Sequence, residues 1–191
     1  MTPQQGTFQM MTAKGYDFYE VASAFQKAVR RGDEETAMYF AVEMFSSGYD
    51  EYLWKRIKII TSEDVGLAEP SLPATVAALS SMYQEQKKKK DEKHKPERLF
   101  LTHAVLLLAR ARKSRLVDWS IVAYWNEHET THLPIPDYAF DKHTKTGRAM
   151  GRGMTHFWNE GANLENRADI EGEDDMKERA RQSEEAKKDG H

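Results

Sequence analysis

The sequence predicts an all-α chain of about six or seven helices. Three observations predict it. Apolar residues recur at i, i+3, i+4 and i+7 through most of the chain. No stretch alternates convincingly with period two. Gly and Pro fall between the apolar stripes, where helix ends are needed.

The elements follow in order. Residues 1–15 are polar and carry no clear period, so they read as a flexible arm, or as an edge borrowed by a neighbour. From Tyr16 the stripe Phe18, Val21, Ala22, Phe25, Ala28 and Val29 marks a first helix, with Arg30 and Arg31 in its last turn and Gly32 as its stop. Asp33 caps a second helix with Ala37, Phe40, Ala41, Met44 and Phe45 on its apolar side, ended by Gly48. So short a gap predicts an antiparallel hairpin. A third helix begins near Asp50 and buries Leu53, Trp54, Ile57 and Ile60. It meets TSEDVGLAEP, residues 61–70, where Gly66 and Pro70 predict a bend.

Leu72 to Gln86 reads as a fourth helix. The run KKKKDEKHK, residues 87–95, follows and cannot be core. Pro96 opens the most hydrophobic helix, PERLFLTHAVLLLARARKS. Another spans Leu116 to about Trp125. HETTHLPIP then reads as loop, Tyr138 to Met150 as a helical stretch, and GRG at 151–153 as its break. From Glu165 onward the chain is charged and lacks apolar spacing, which suits disorder or a solvated helix.

Composition limits the chemistry. The chain has 191 residues, a formal charge of -3 and no cysteine. Disulfides, thiolate zinc sites and a Cys nucleophile are excluded. Any basic surface is local. No apolar run approaches the ~18 residues of a spanning helix, and no secretory signal opens the chain, so a soluble cytoplasmic protein is expected.

The stretch HETTH, residues 128–132, spells the H-E-x-x-H pattern of zinc peptidases. That chemistry needs both imidazoles on one helical face and a third protein ligand. Pro134 and Pro136 follow at once, two Thr separate the histidines, and Glu160 is no better a third ligand than other acids. The pattern is read as a chance match, with no metal, no cofactor and no enzymatic activity expected; a zinc hydrolase through His128 and His132 is the remote alternative. No phosphate loop of the form G-x-x-x-x-G-K-S/T occurs.

Two basic stretches are candidates for nucleic-acid contact. Six Lys stand against two acids in residues 87–95, led by Lys87, Lys88, Lys89 and Lys90, and no aromatic interleaves for base stacking. Lys142, Lys145, Arg148 and Arg152 surround the glycines of GRAMGRG, residues 147–153. The plain alternative in both places is solvated loop. Ser62, Glu63, Asp64 and Gly66 mark a structural motif at the bend. Adjacent acids on a helix point to different faces, so Glu63 and Asp64 are expected to cap backbone N–H groups rather than act as a pair. His103, on the most apolar helix, is expected buried and hydrogen-bonded. Trp54 and Trp119 have core spacing, while Trp125, Phe157 and Trp158 suit core or interface.

Four stretches in this order carry a family resemblance: residues 16–50 (YDFYEVASAFQKAVRRGDEETAMYFAVEMFSSGYD), 56–70 (RIKIITSEDVGLAEP), 102–115 (THAVLLLARARKSR) and 133–153 (LPIPDYAFDKHTKTGRAMGRG). Together they resemble the C-terminal part of the replication-associated recombination protein A family, bacterial AAA+ ATPases akin to the Werner-helicase-interacting ATPase. The resemblance covers about Tyr16 to Gly161, with SEDVGLAEP its most specific motif. It implies a helical domain over 16–161, like the oligomerising collar of clamp loaders; the charged tail over 162–191, like the lysine run, is a local elaboration outside it. It also implies assembly into a homotetramer and a place in DNA replication and recombination-repair. In that family LPIP leads into the segment holding Thr144, and no metal site lies just upstream. No Walker A, Walker B or arginine-finger region is present in this sequence, so the resemblance does not extend to ATP hydrolysis. Both a natural stand-alone chain and an excised domain are consistent with this. The expected function is a scaffold that self-associates and contacts DNA or a separate replication ATPase, with no membrane partner; a sequence-nonspecific nucleic-acid-binding module is the alternative.

Overall fold

In the computed structural model, residues 10–89 and 93–189 are described. The chain divides into two units, Met1–Thr131 and His132–His191. The 16–161 domain read from the sequence spans both.

The first unit is built from six helices: α1 (Phe18–Arg31), α2 (Glu34–Ser46), α3 (Asp50–Ile60), α4 (Leu72–Lys89), α5 (Glu97–Arg110) and α6 (Leu116–Thr130). Asp17 starts α1 by accepting the amides of Tyr19 and Glu20 at 2.8 and 3.0 Å, the donors a helix cannot satisfy itself. Gly32 ends it at φ 71°, and the chain turns straight into α2, capped by Asp33. Phe25, Met44, Leu53, Ile57, Tyr83 and Leu108 bring α1 to α5 together in one core, each fully buried.

α3 does not end at a cap. It widens into a π-helical turn, Thr61–Val65, and a short 3-10 turn, Gly66–Ala68, follows. Thr61 is buried and its hydroxyl bonds back to the carbonyl of Ile57 at 2.8 Å, a contact that bends helices. The expected bend therefore exists, as an underwound continuation of α3 rather than a loop.

Residues 10–15, part of the stretch expected as an arm, fold onto the first unit. Met11 and Asp17 form an isolated antiparallel bridge, and Phe18 donates to the carbonyl of Met10 at 2.9 Å. Thr12 is buried, and the amide of Lys14 donates to the Glu43 carboxylate at 2.9 Å. Residues 1–9 lie outside the described residues.

Three features differ from what the sequence predicts. His103 is exposed, because Leu101, Ala104, Val105 and Leu108 form the buried stripe of α5 and leave position 103 on the other side. Trp119 is 63 % exposed rather than core, while Trp54 is buried against the Tyr83 ring. And α6 runs past Trp125 to Thr130, so the first letters of HETTH are helical.

The second unit holds a 3-10 turn (Asp137–Ala139), α7 (Lys145–Ala149), α8 (Met154–His156) running into a π-helical turn (Phe157–Gly161), and α9 (Glu173–Asp189). The continuous helical stretch expected over 138–150 is thus broken, with Asp141, His143 and Thr144 in turn geometry that caps α7. In the charged tail α9 forms a solvated helix, with Glu173, Asp174 and Asp175 in its first turn. Among the described residues of this unit Gly147 alone is buried. No described helix is long and apolar enough to cross a membrane.

Candidate assembly surface

The bend motif is the anchor of the first unit's charged groups. Asp64 is completely buried, and Arg30 on α1 donates Nε to its Oδ1 at 2.6 Å and Nη2 to Oδ2 at 3.3 Å. The same Nη2 reaches Glu63 at 3.1 Å. Gln26 donates to both carboxylates, at 2.8 Å to Glu63 and 3.2 Å to Asp64, and Arg56 on α3 donates to the Gln26 carbonyl. The bond to Asp64 raises the Arg30 guanidinium above its ordinary value.

Glu63 and Asp64 therefore do act together, and they bind side-chain cations rather than capping backbone N–H groups. The sequence argument used the spacing of an α-helix; in the π-helical turn both carboxylates converge on Arg30. Arg30 itself was read as a dipole-balancing residue, and its role as counter-ion to Asp64 left no sequence signal.

This motif also holds the connection between α5 and α6. The amide of Ser114 donates to the carbonyl of Asp64 at 3.0 Å, and that of Arg112 to the Glu69 carboxylate at 2.8 Å. Lys113 places its ammonium on the carbonyls of Leu108, Ala109 and Ala111 at 2.7, 3.0 and 2.6 Å, closing the end of α5. Arg115 pairs with Asp118, lies 3.5 Å from Asp64 Oδ1 and 3.9 Å from Glu63 Oε1, and sets its guanidinium over the Trp119 ring at 5.2 Å.

Beyond this joint, α6 has no buried residue. Leu116, Trp119, Ile121, Val122, Tyr124 and Trp125 are all exposed, Trp125 by 71 %. Ile121 to Trp125 are five consecutive apolar residues, so every side of the helix is apolar there. A helix of that kind is ordinarily surrounded, and an exposed apolar patch marks an interaction surface. Sequence spacing had assigned Trp119 to the core and left Trp125 to core or interface; the missing polar face around Ile121 to Trp125 was the available signal for exposure. His128 sits in the last turn of α6, but Thr131 is extended at φ -111°, ψ 133° and His132 lies beyond it. The two imidazoles are therefore not held in the helical i, i+4 register that an H-E-x-x-H zinc site uses.

The basic candidates are divided. Lys87 is bound to Asp50 at 2.5 Å. Lys88 and Lys89 are exposed at the end of α4, and Lys90 lies outside the described residues. In the second unit Arg152 donates to the carbonyls of Asp137 and Phe140, both at 2.8 Å, and to both oxygens of the Asp137 carboxylate. Arg148 donates to the carbonyls of Lys142 and His143, and Lys142 lies over the Phe157 ring at 5.9 Å. Lys145 is exposed. Thr144 caps α7 by accepting the Gly147 amide at 3.0 Å, and a Cβ on Gly147 would meet the Asp141 carbonyl oxygen at 2.0 Å. This glycine allows a close backbone approach within the turn, which accounts for it without a phosphate.

Comparison with known proteins gives the lineage. Residues 32–168, from α2 through α8, match the family described as MgsA AAA+ ATPase C terminal. An uncharacterized AAA domain-containing protein of Mycobacterium tuberculosis is 31% identical over 148 residues, covering 73% of this chain and 30% of that protein. The replication-associated recombination protein A of Bacillus subtilis is 28% identical over 141 residues, 72% of this chain and 32% of its own. The Escherichia coli K12 protein of the same name is 28% identical over 145 residues, 75% of this chain and 31% of its own. The chain thus spans about a third of the length of these relatives. Bend motif, α6 and the turn around Gly147 all fall within the matched residues, and the chain belongs to the MgsA AAA+ ATPase C-terminal family.

Proposed function

We propose that this chain is a non-enzymatic assembly module of the replication and recombination class, and that copies of it associate through α6. The observation that carries this reading is the exposure of a helix that is apolar on every side over Ile121 to Trp125, on a unit whose other helices share a buried core. Covering such a helix removes a large apolar area from water, the main favourable term in association.

The charges favour a second copy as the cover, running antiparallel. Arg112 and the helix's own dipole make the start of α6 positive, Arg115 there being balanced by Asp118 and Asp64, while Glu127 and Glu129 make its end negative. Antiparallel copies set each positive start against a negative end; parallel copies would set like against like. A helical turn apolar on all sides also offers more surface than one partner helix covers, which fits an assembly larger than a dimer, as the resemblance implies. The acids make this surface a poor one for DNA. An AAA+ ATPase is the further partner class that membership of this family suggests.

Sedimentation or light scattering from low to high micromolar concentration tests the proposal. The wild-type chain is expected above monomer mass. Val122→Glu with Trp125→Glu, both at exposed positions, is expected to give a monomer with unchanged circular dichroism. A wild-type chain that stays monomeric at tens of micromolar, with α6 shielded by its own residues 132–191 or by nothing, overturns it.

A further inference from the structure

We infer that the ion cluster at the bend motif is a bracket that fixes the direction in which α6 leaves the core, with Arg115 as its positioning residue. The inference rests on α6 being the assembly surface, and it adds what holds that surface in place.

The argument begins from what α6 lacks. None of its residues is buried, so apolar packing against the core is slight and confined to its first turn. What does reach the core is its first turn. Val117 approaches Gly66 so closely that a Cβ there would stand 3.0 Å from Val117 Cγ2. Gly66 itself sits at φ 49°, ψ -124°, backbone that side chains avoid, so the chain accepts a restricted conformation at the point of contact. Asp64 ties the two segments twice: its carbonyl takes the Ser114 amide, and its buried carboxylate faces Arg115 while holding Arg30.

The cluster balances three guanidinium groups, Arg30, Arg56 and Arg115, against three carboxylates, Glu63, Asp64 and Asp118. A buried charge left without its partner is costly, so these groups hold one arrangement. α1 and α3 are locked in the core. Arg115 is the only member at the base of α6 that reaches Asp64, and its guanidinium also lies over Trp119, one turn further along. Rotating α6 away from its observed direction separates Arg115 from Asp64 and Glu63. Arg115 Nε is buried yet makes no hydrogen bond, so a small shift of the α6 base on assembly has a donor available to tighten the joint.

The test is hydrogen exchange of α6 in the whole chain, measured below the concentration at which it associates, alongside sedimentation above it. Arg115→Met keeps the stem and removes the charge. It is expected to retain the helical content of the wild type, to speed exchange of the amides of residues 118–130 at least tenfold relative to those of α1 and α3, and to weaken self-association at least tenfold. Arg115→Lys is expected to recover part of both. If Arg115→Met unfolds the unit, Asp118→Asn, which loosens Arg115 from the exposed side of the cluster, is expected to give smaller changes in the same direction. A folded Arg115→Met, or in its place Asp118→Asn, with wild-type exchange in α6 overturns the bracket. A wild-type chain that never associates removes the assembly reading, and the exchange measurement still decides the bracket.

Discussion

Tyr83 donates its phenol to the carboxylate of Asp50 at 2.6 Å, and Lys87, one turn further along α4, reaches the same oxygen at 2.5 Å. The pair pins α4 to the start of α3 from inside, since Tyr83 is fully buried and Asp50 nearly so. Burial, followed by the bond to Asp50, pushes the Tyr83 phenol well above its ordinary value. The bond to Asp50 raises Lys87 as well.

Alkaline destabilisation follows. Below the ordinary value of 10.0 for the phenol, both states carry the Tyr83 proton and stability is complete. Above it the unfolded chain releases that proton while the folded chain keeps it, so stability falls as pH rises towards the folded value. Lys87 adds to the fall above its ordinary 10.5, by less, because its side chain is 40% exposed. Urea melts across the alkaline range are expected to show the loss. Tyr83→Phe is expected to flatten it and to cost about 1–2 kcal/mol at neutral pH, where Asp50 loses a donor.

A second pH effect is local and acidic. Burial pushes Glu43 up, but hydrogen bonds from Thr12, the Lys14 amide and Ser47 outweigh it and leave the carboxyl below its ordinary value. A depressed carboxyl contributes stability that is present above its unfolded value of 4.5 and is lost as pH falls through the lower folded one. The turn over residues 10–17 is expected to loosen in that window while α1 to α5 stay folded. Glu43→Gln is expected to speed exchange of the Lys14 amide at neutral pH, and an unchanged rate would contradict the assignment.

Two glycines separate conformational cost from packing cost. Gly48 has φ 79° with nothing within 4 Å of a new Cβ, so Gly48→Ala is expected to cost about 1 kcal/mol from backbone strain alone. Gly66 has both a disfavoured backbone and Val117 at 3.0 Å. Gly66→Ala is expected to cost about 2–3 kcal/mol and to perturb α6, whereas Gly48→Ala leaves α6 unaffected. Thermal melts and exchange of α6 amides read the two effects separately.

The sequence is a good guide wherever a helix has one buried side. The stripes of α1, α2 and α3 and the stops at Gly32 and Gly48 follow from local spacing, and the structure has them, whereas α5 was legible only as the most hydrophobic helix. The bend at residues 61–70 is legible as punctuation, but its π-helical geometry is not, and with it goes the convergence of Glu63 and Asp64 on Arg30. That pairing joins positions 33 and 34 residues apart, which no local rule reaches. α6 fails for the opposite reason. Its apolar residues signal burial, yet none of them is buried in the unit, so the sequence marks the surface without saying what it meets. SEDVGLAEP, the most specific motif of the family resemblance, is also the stretch whose Asp64 and Glu69 meet Arg30 and the Arg112 amide.

The remaining prediction separates the basic residues that build the fold from those free to meet a nucleic acid. Arg152 makes four hydrogen bonds to Asp137 and Phe140, with its own side chain only 17% exposed. Arg152→Ala is expected to cost about 1–2 kcal/mol of local stability around α7, read as faster proteolysis within residues 132–161. Any loss of DNA binding in that variant would follow from the lost structure and carries no information about contact. Lys88, Lys89 and Lys145 are exposed, so replacing them by Ala is expected to leave melting unchanged. If DNA binds through them, each lost phosphate contact lowers the slope of log affinity against log salt by about 0.9 for duplex. Binding with an unchanged slope in the triple variant would exclude these lysines as the DNA contact and leave assembly through α6 as the proposed activity of the chain.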